Sequence, residues 1–228
     1  MTIDTYAYVI NKYHLNPGRQ TAINISNIGR QDLANLFAEL KFNLGAEIGV
    51  GVGSYSQVLC QANPNLHLFS IDPWDLSAYE AGVDPHDIAI LDTQAGFDRE
   101  HQDAKARLAA YHCTVVRKDS LTAAQDFADN SLDFVYIDAN HNFVNVANDL
   151  HAWIKKVRWG GILSGHDYED FPAKKQNHVK SVVQAYMHSY KLLPYFILGV
   201  DTPTKPREIR DRVRSWMWIK PSQTGVKS

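Results

Sequence analysis

Short apolar runs alternate along the chain with longer stretches in which apolar positions recur every three or four residues, the pattern of strands interleaved with crossover helices. Leu33, Leu36, Phe37 and Leu40 recur at helical spacing in Gln31–Lys41, and Gly45 closes that segment before the apolar run Ala46–Val50, read as a first buried strand. Ser54–Ala62 reads as a helix, Leu66–Ile71 as a second strand, Ala104–Tyr111 as a helix and Cys113–Val116 as a third strand. Ala123–Phe127 is a short helix, Leu132–Ile137 a fourth strand, and Val144–Val157 a helix with Leu150, Trp153, Ile154 and Val157 along one face. Gly160-Gly161 turns the chain into a fifth strand, Ile162–Ser164. Val179–Tyr190 is again helical, and Leu193–Val200 and Ser215–Ile219 are two aromatic-rich strands around a polar loop with Pro203 and Pro206.

These elements predict an α/β fold: a three-layer α/β/α doubly wound, mostly parallel seven-stranded sheet, closed by a terminal antiparallel strand pair, as one domain over residues 1–228. Two segments stand outside that frame. Residues 1–30 are expected to form an N-terminal cap, and residues 73–103, which carry ten acidic or histidine side chains, a lid or substrate loop.

Composition narrows the partners more than the fold. The 228 residues carry 23 Lys and Arg against 25 Asp and Glu, so there is no basic footprint for DNA or for an anionic membrane. Asp201–Ser228 holds seven Lys and Arg against three acids, which most often marks a solvated face. Cys60 and Cys113 are far apart and form no metal or disulfide framework. With neither a secretory leader in Met1–Ile10 nor a run of about 18 apolar residues, a cytoplasmic location is expected. A small-molecule partner follows, and a homodimer is left open.

The first strand runs into Glu47-Ile48-Gly49-Val50-Gly51-Val52-Gly53-Ser54 and then a helix, so backbone N–H groups at a helix start face a loop stripped of side chains. The spacing is E-x-G-x-G-x-G rather than the G-x-G-x-x-G of dinucleotide sites, which disfavours a nicotinamide enzyme. An acid inside the strand end also repels a pyrophosphate, and suits instead the amino group of a cationic ligand. Asp72 closes the second strand, where a carboxylate can accept from both hydroxyls of a ribose. Asp119-Ser120 follows the third, and Asp138 the fourth.

With these residues in order, residues 31 to 219 resemble the class I S-adenosylmethionine-dependent methyltransferases, in the branch of sugar, natural-product and catechol-type O-methyltransferases. The resemblance implies a Rossmann-like methyltransferase fold and S-adenosylmethionine as cofactor. It implies that Glu47, Gly49, Gly51, Gly53 and Ser54 hold its methionine end, Asp72 its ribose, and Asp119 with Ser120 its adenine, with Asp138 at the cofactor edge. Asp72-Pro73-Trp74 looks like the natural-product members, and Trp74 is expected to stack near the adenosine, or else to lie in the core or lid. The implied reaction is methyl transfer to a hydroxyl oxygen of a sugar, polyphenol or natural-product acceptor. The alternatives are a non-catalytic S-adenosylmethionine-binding protein, or a methyltransferase acting on RNA or protein.

The chemistry is expected at Asp138-Ala139-Asn140-His141 and at His166-Asp167-Tyr168, each following a strand on the ligand-binding edge. Metal-dependent relatives place a metal-ligating Asp after strand four, an Asp-Asn pair after strand five and a catalytic Lys three residues past the first Asp. Here Asp138 matches the first, His166-Asp167 replaces the pair, and His141 stands where the Lys would be. Two models compete. In one, Asp138, His166 and Asp167 hold a divalent metal (Mg, Mn or another first-row ion, an imidazole favouring the latter) and His141 is the base. In the other there is no metal, and His141 or His166 takes the proton while Asp138 or Asp167 orients it. Tyr168, Glu169 and Asp170 are further acceptor-pocket candidates, and Asp149 and His151 read as surface residues. Asp138-Ala139-Asn140-His141 also lacks the Pro-Pro-Tyr or Pro-Cys signature of base-modifying enzymes.

Overall fold

The computed structural model describes residues 3–18, 21–80, 93–171 and 177–222. In chain order they form α1 (Thr5–Lys12), β1 (Ala22–Ile25), α2 (Arg30–Glu39), β2 (Leu44–Ile48), α3 (Ser54–Ala62), β3 (His67–Asp72), α4 (Leu76–Glu80) and α5 (Gln94–Leu108). There follow β4 (Cys113–Arg117), α6 (Ser120–Ala124), β5 (Leu132–Ile137), α7 (Phe143–Trp153), β6 (Val157–Gly165), α8 (Val179–Ser189), β7 (Tyr195–Leu198) and β8 (Trp216–Ile219). Among the described residues no helix is long and apolar enough to cross a membrane.

One sheet of eight strands runs in the order β1-β7-β8-β6-β5-β2-β3-β4. Only β8 is antiparallel to its neighbours, lying between β6 and β7. The sheet is sandwiched because its strands are apolar on both faces. In β5, Phe134 and Tyr136 join the layer under α1, α2 and α3, while Val135 and Ile137 join the layer under α6, α7 and α8. β8 repeats the alternation, with Met217 and Ile219 on the first side and Trp216 and Trp218 on the second.

The sheet has one strand more than expected. β1 comes from the segment assigned to a cap and pairs parallel with β7 at the sheet edge, burying Ile23 and Ile25 in the first layer. Its four residues are too short a run to register as a strand. The expected lid is likewise partly helix. α5 is capped by Thr93, whose side chain accepts from the Gly96 N–H, and it turns only Gly96, Phe97, Ala104 and Leu108 inward. Its C-terminal part falls within the helix read over Ala104–Tyr111, and the sparse apolar stripe hides only its N-terminal part from periodicity. Asp84, His86, Asp87 and Asp92 of that segment lie outside the described residues.

The order of strands places the site. From β2 the chain winds outward through β3 and β4, and from β5 outward the other way through β6. The carboxyl ends of β2 and β5 therefore flank the crevice where the winding reverses, the place where open α/β sheets take ligands.

Candidate active site

At the end of β2 the chain turns through Gly49, Gly51 and Gly53, all with positive φ. Two of these are used differently. A Cβ on Gly49 would sit 2.1 Å from the Asp138 carbonyl oxygen, so only glycine lets the β5 loop close on this turn. A Cβ on Gly51 would meet nothing within 4 Å, leaving its backbone open to an incoming ligand. Gly53 caps α3 and packs against Ala104 of α5, and Ser54 lines the larger of the two pockets that meet at Gly49.

Asp72 holds the loop in this shape. Its Oδ2 accepts from the Val50 and Gly51 N–H groups at 2.8 and 3.1 Å, and its Oδ1 from Trp74 N–H at 2.8 Å. Three of a carboxylate's roughly four acceptor positions are thus taken, leaving one for a ribose hydroxyl where two were expected. Burial pushes this carboxyl up, and the three donors pull it back. Trp74 takes the core position, the second of the two expected for it. Its ring is fully buried with Val50, Phe97 and Ala104, and its Nε1–H donates to the Gly51 carbonyl at 2.9 Å. A positive φ at Trp74 tucks the ring beneath the loop, so it supports the glycines from below.

Two pockets open on either side of Gly49. The smaller, about 160 Å³, has Ile48, Ile71 and Leu121 on its walls and Asp72, Asp119 and Ser120 at its polar end. Asp119 also caps α6, accepting from the Thr122 N–H at 2.9 Å. Asp149 belongs to this pocket too, only 5% exposed rather than on the surface, because α7 turns it inward beside Ser120. His151 is exposed as expected.

The larger pocket, about 930 Å³, is lined by Gly49, Gly51, Glu47, Arg30, Asp138 and His166. Glu47 is buried and accepts a hydrogen bond from the Ser56 hydroxyl. Burial pushes its carboxyl up to about 8, so a cation beside it would favour the charged form. Arg30, which pattern reading left inside the cap segment, opens α2. Its Nη2 donates to Asp138 Oδ2 at 2.7 Å and its guanidinium lies 4.1 Å over the Tyr55 ring, while its Nε is buried without a partner. No motif marks such a residue; its one sequence signal is a cation at a helix start preceding a glycine loop.

Beyond Asp138 the histidines and acids converge. His141 Nε2 lies 3.1 Å from Asp167 Oδ2 and 3.9 Å from Asp138 Oδ1. Neither contact is a hydrogen bond, and this nitrogen is enclosed although the side chain as a whole is 38% exposed. Burial pulls the imidazole pKa down, but the carboxylates of Asp138 and Asp167 outweigh it and push it up to about 10. In turn His141 and His166 hold Asp167 well below the usual carboxylate range against its burial. His166 Nδ1 lies 3.2 Å from Asp167 Oδ2 and 3.7 Å from Asp138 Oδ1. Asp167 reaches all these groups from a positive φ, and Asn177 donates to its other oxygen at 3.2 Å.

The ligand atoms of Asp138, His141 and Asp167 lie within 4.8 Å of one another, the one such group of three among the described residues. His166, expected among the metal ligands, stands outside it. The left-handed turn at Asp167 brings its Oδ2 to both histidines, so His166 borders the group without joining it. The loop after β6 also departs from expectation. Tyr168 is in the core, its hydroxyl 2.8 Å from that of Tyr195, Glu169 is taken by Arg210 and Arg214, and Asp170 pairs with Lys180. Those pairs also use part of the C-terminal basic stretch internally.

A family model described as a methyltransferase domain matches residues 46–168, more than half of the chain. The chain belongs to this methyltransferase-domain family. Its fold is that of the class I S-adenosylmethionine-dependent methyltransferases, as the resemblance implied. Cofactor-bound Rv0187 from MTB superposes with a TM-score of 0.58 at 16% identity, covering 85% of this chain and 80% of that one. The O-methyltransferase TomG from Streptomyces achromogenes, solved with SAM, gives 0.54 at 16%, covering 84% and 79%. The N-methyltransferase NodS from Bradyrhizobium japonicum WM9 gives 0.53 at 15%, covering 85% and 95%. At these identities the likeness is one of fold. A search of curated proteins finds no match.

Proposed function

We propose that this methyltransferase moves the methyl group of S-adenosylmethionine to a hydroxyl oxygen of a small molecule of the sugar, polyphenol or natural-product class. The observation that carries the reading is that one pocket joins the glycine loop, through Gly49 and Gly51, to Asp138 and His166. When bound, the cofactor supplies a sulfonium methyl already activated for in-line displacement, so the chain has to position the acceptor and take its proton. Gly51 leaves the room for the methionine end, Glu47 favours its ammonium group, and Asp72 offers its remaining acceptor position to the ribose. The smaller pocket takes the adenine. Arg30 and Glu100 bring the two segments flanking the Rossmann-like frame, residues 1–30 and 73–103, to the acceptor's side of the larger pocket.

The two histidines exchange the roles of the metal-bound model, and His166 takes the base role that the metal-free model left open between them. His141, flanked by two carboxylates and holding its proton to about pH 10, is a poor base near neutrality. His166 lines the acceptor pocket, and donating Nδ1–H to Asp167 leaves Nε2 with the lone pair that receives the hydroxyl proton. Once its proton is displaced by an ion, the enclosed Nε2 of His141 joins the two carboxylates in a donor set that fits a first-row divalent ion better than Mg²⁺. Such an ion, held by Asp138, His141 and Asp167, would supply Lewis acidity that lowers the pKa of a bound hydroxyl.

The test is release of S-adenosylhomocysteine from S-adenosylmethionine with catechols, polyphenols and sugars, with and without EDTA followed by Mn²⁺. Turnover stopped by EDTA and restored by Mn²⁺ supports the full reading, and turnover untouched by EDTA removes the metal from it. Cofactor binding without turnover on any acceptor would leave a non-catalytic binding protein.

A further inference from the structure

Asp149 is a buried carboxyl that the proposed chemistry leaves unused. It projects from α7 into the smaller pocket, where Ile48, Ile71 and Leu121 supply apolar walls. A relay of donors fixes its orientation. The Trp153 indole Nε1–H, which can only donate, reaches Ser120 Oγ at 2.8 Å. Ser120 therefore accepts there and gives its single proton to Asp149 Oδ1. Asp149 Oδ2 is left without a hydrogen-bond partner among the described residues, on the wall of a cavity of ligand size. No cation pairs with Asp149 among the described residues. Burial, with the nearby charge of Asp119, pushes its carboxyl up to about 7, so a large share of it carries a proton near neutrality.

We infer that Asp149 is a specificity-determining residue that reads the ring-nitrogen edge of a purine through Oδ2, selecting a 6-amino over a 6-oxo base. This rests on the cofactor reading above, which puts the adenine in this pocket. A protonated Oδ2 donates to the unprotonated N1 of a 6-aminopurine, whereas a 6-oxopurine carries N1–H and sets donor against donor. A site built around a hydrogen bond rejects the ligand that cannot complete it far more strongly than an apolar wall would.

The test is calorimetric binding of S-adenosylhomocysteine and S-inosylhomocysteine to the wild-type protein and to Asp149→Ala, Asp149→Asn and Ser120→Ala. The wild type is expected to prefer the adenine ligand by about tenfold or more. Asp149→Ala should lose most of that preference, mainly by weaker adenine binding. Asp149→Asn should keep it, because the amide oxygen still accepts from Ser120 and the NH₂ still donates to N1. Melting curves check that each variant folds. Should Asp149→Ala not fold, Ser120→Ala decides: a preference reduced severalfold supports the inference, and an unchanged one overturns it. Equal wild-type affinities, or a folded Asp149→Ala that keeps the preference, or a folded Asp149→Asn that loses it, overturn the inference alone. Failure of the wild type to bind either ligand overturns the cofactor reading and this inference with it.

Discussion

Replacing His141 by Ala withdraws the imidazolium from between two carboxylates, Asp167 at 3.1 Å and Asp138 at 3.9 Å. Raising its pKa from 6.5 to about 10 would correspond, in an enclosed site, to roughly 5 kcal/mol of interaction. The side chain is 38% exposed, however, and solvent screening brings the expected contribution down to about 1–2 kcal/mol. The direction with pH follows from proton counts. The folded chain holds the His141 proton up to about pH 10, while the unfolded chain releases it near 6.5, so the contribution is complete below 6.5 and is lost as pH rises toward 10. On the acid side the low pKa of Asp167 keeps its part of the pairing intact above about pH 4. Urea unfolding of wild type and His141→Ala in EDTA, from pH 5.5 to 10, should show a gap of about 1–2 kcal/mol at pH 5.5–6.5 that closes by pH 10. In thermal melts at pH 6 this corresponds to about 2–8 °C for a chain of this length. A gap that stays constant from pH 6.5 to 10 would refute the raised pKa, and with it the reason for passing the base role to His166.

The glycines of the loop should separate stability from binding. Gly49→Ala sets a Cβ against the Asp138 carbonyl at positive φ and should cost about 3 kcal/mol in unfolding experiments. Gly51→Ala meets only its φ of +53° and should cost about 1 kcal/mol, yet weaken S-adenosylhomocysteine binding tenfold or more; equal losses of stability in the two would count against this division. Asp72→Asn turns one acceptor into a donor facing backbone N–H groups. It should lower stability by about 2–3 kcal/mol and cofactor affinity together, and retained affinity at reduced stability would limit Asp72 to holding the loop.

Much of this protein lies in local pattern, because strand runs, helix faces and turn glycines are recognised by their near neighbours in the chain. Leu132–Ile137 and Ser54–Ala62 form as read, and Glu47, Gly49, Asp72, Asp119 and Asp138 stand at or just past the carboxyl ends of β2, β3, β4 and β5, as their order implied. The misreadings share a cause. β1 and the N-terminal part of α5 carry too few apolar positions to declare themselves, and each element is held by a partner distant in sequence: β1 by β7 and α5 by α3. Asp149 and Trp74 are polar or amphipathic, and nothing in their own sequence neighbourhood tells a surface from a pocket wall or a buried loop support.

Sequence alone determined the methyltransferase frame and the acids and histidines that stand at its strand ends. Tertiary structure decided their arrangement: the left-handed turn at Asp167 brings its carboxylate to both histidines, and the loops after β5 and β6 set His166 on the wall of the larger pocket and His141 between two carboxylates. The same structure brought Arg30 to Asp138 across 108 residues of chain. Charge placement of that kind is a property of distances in space, which a one-dimensional pattern does not carry.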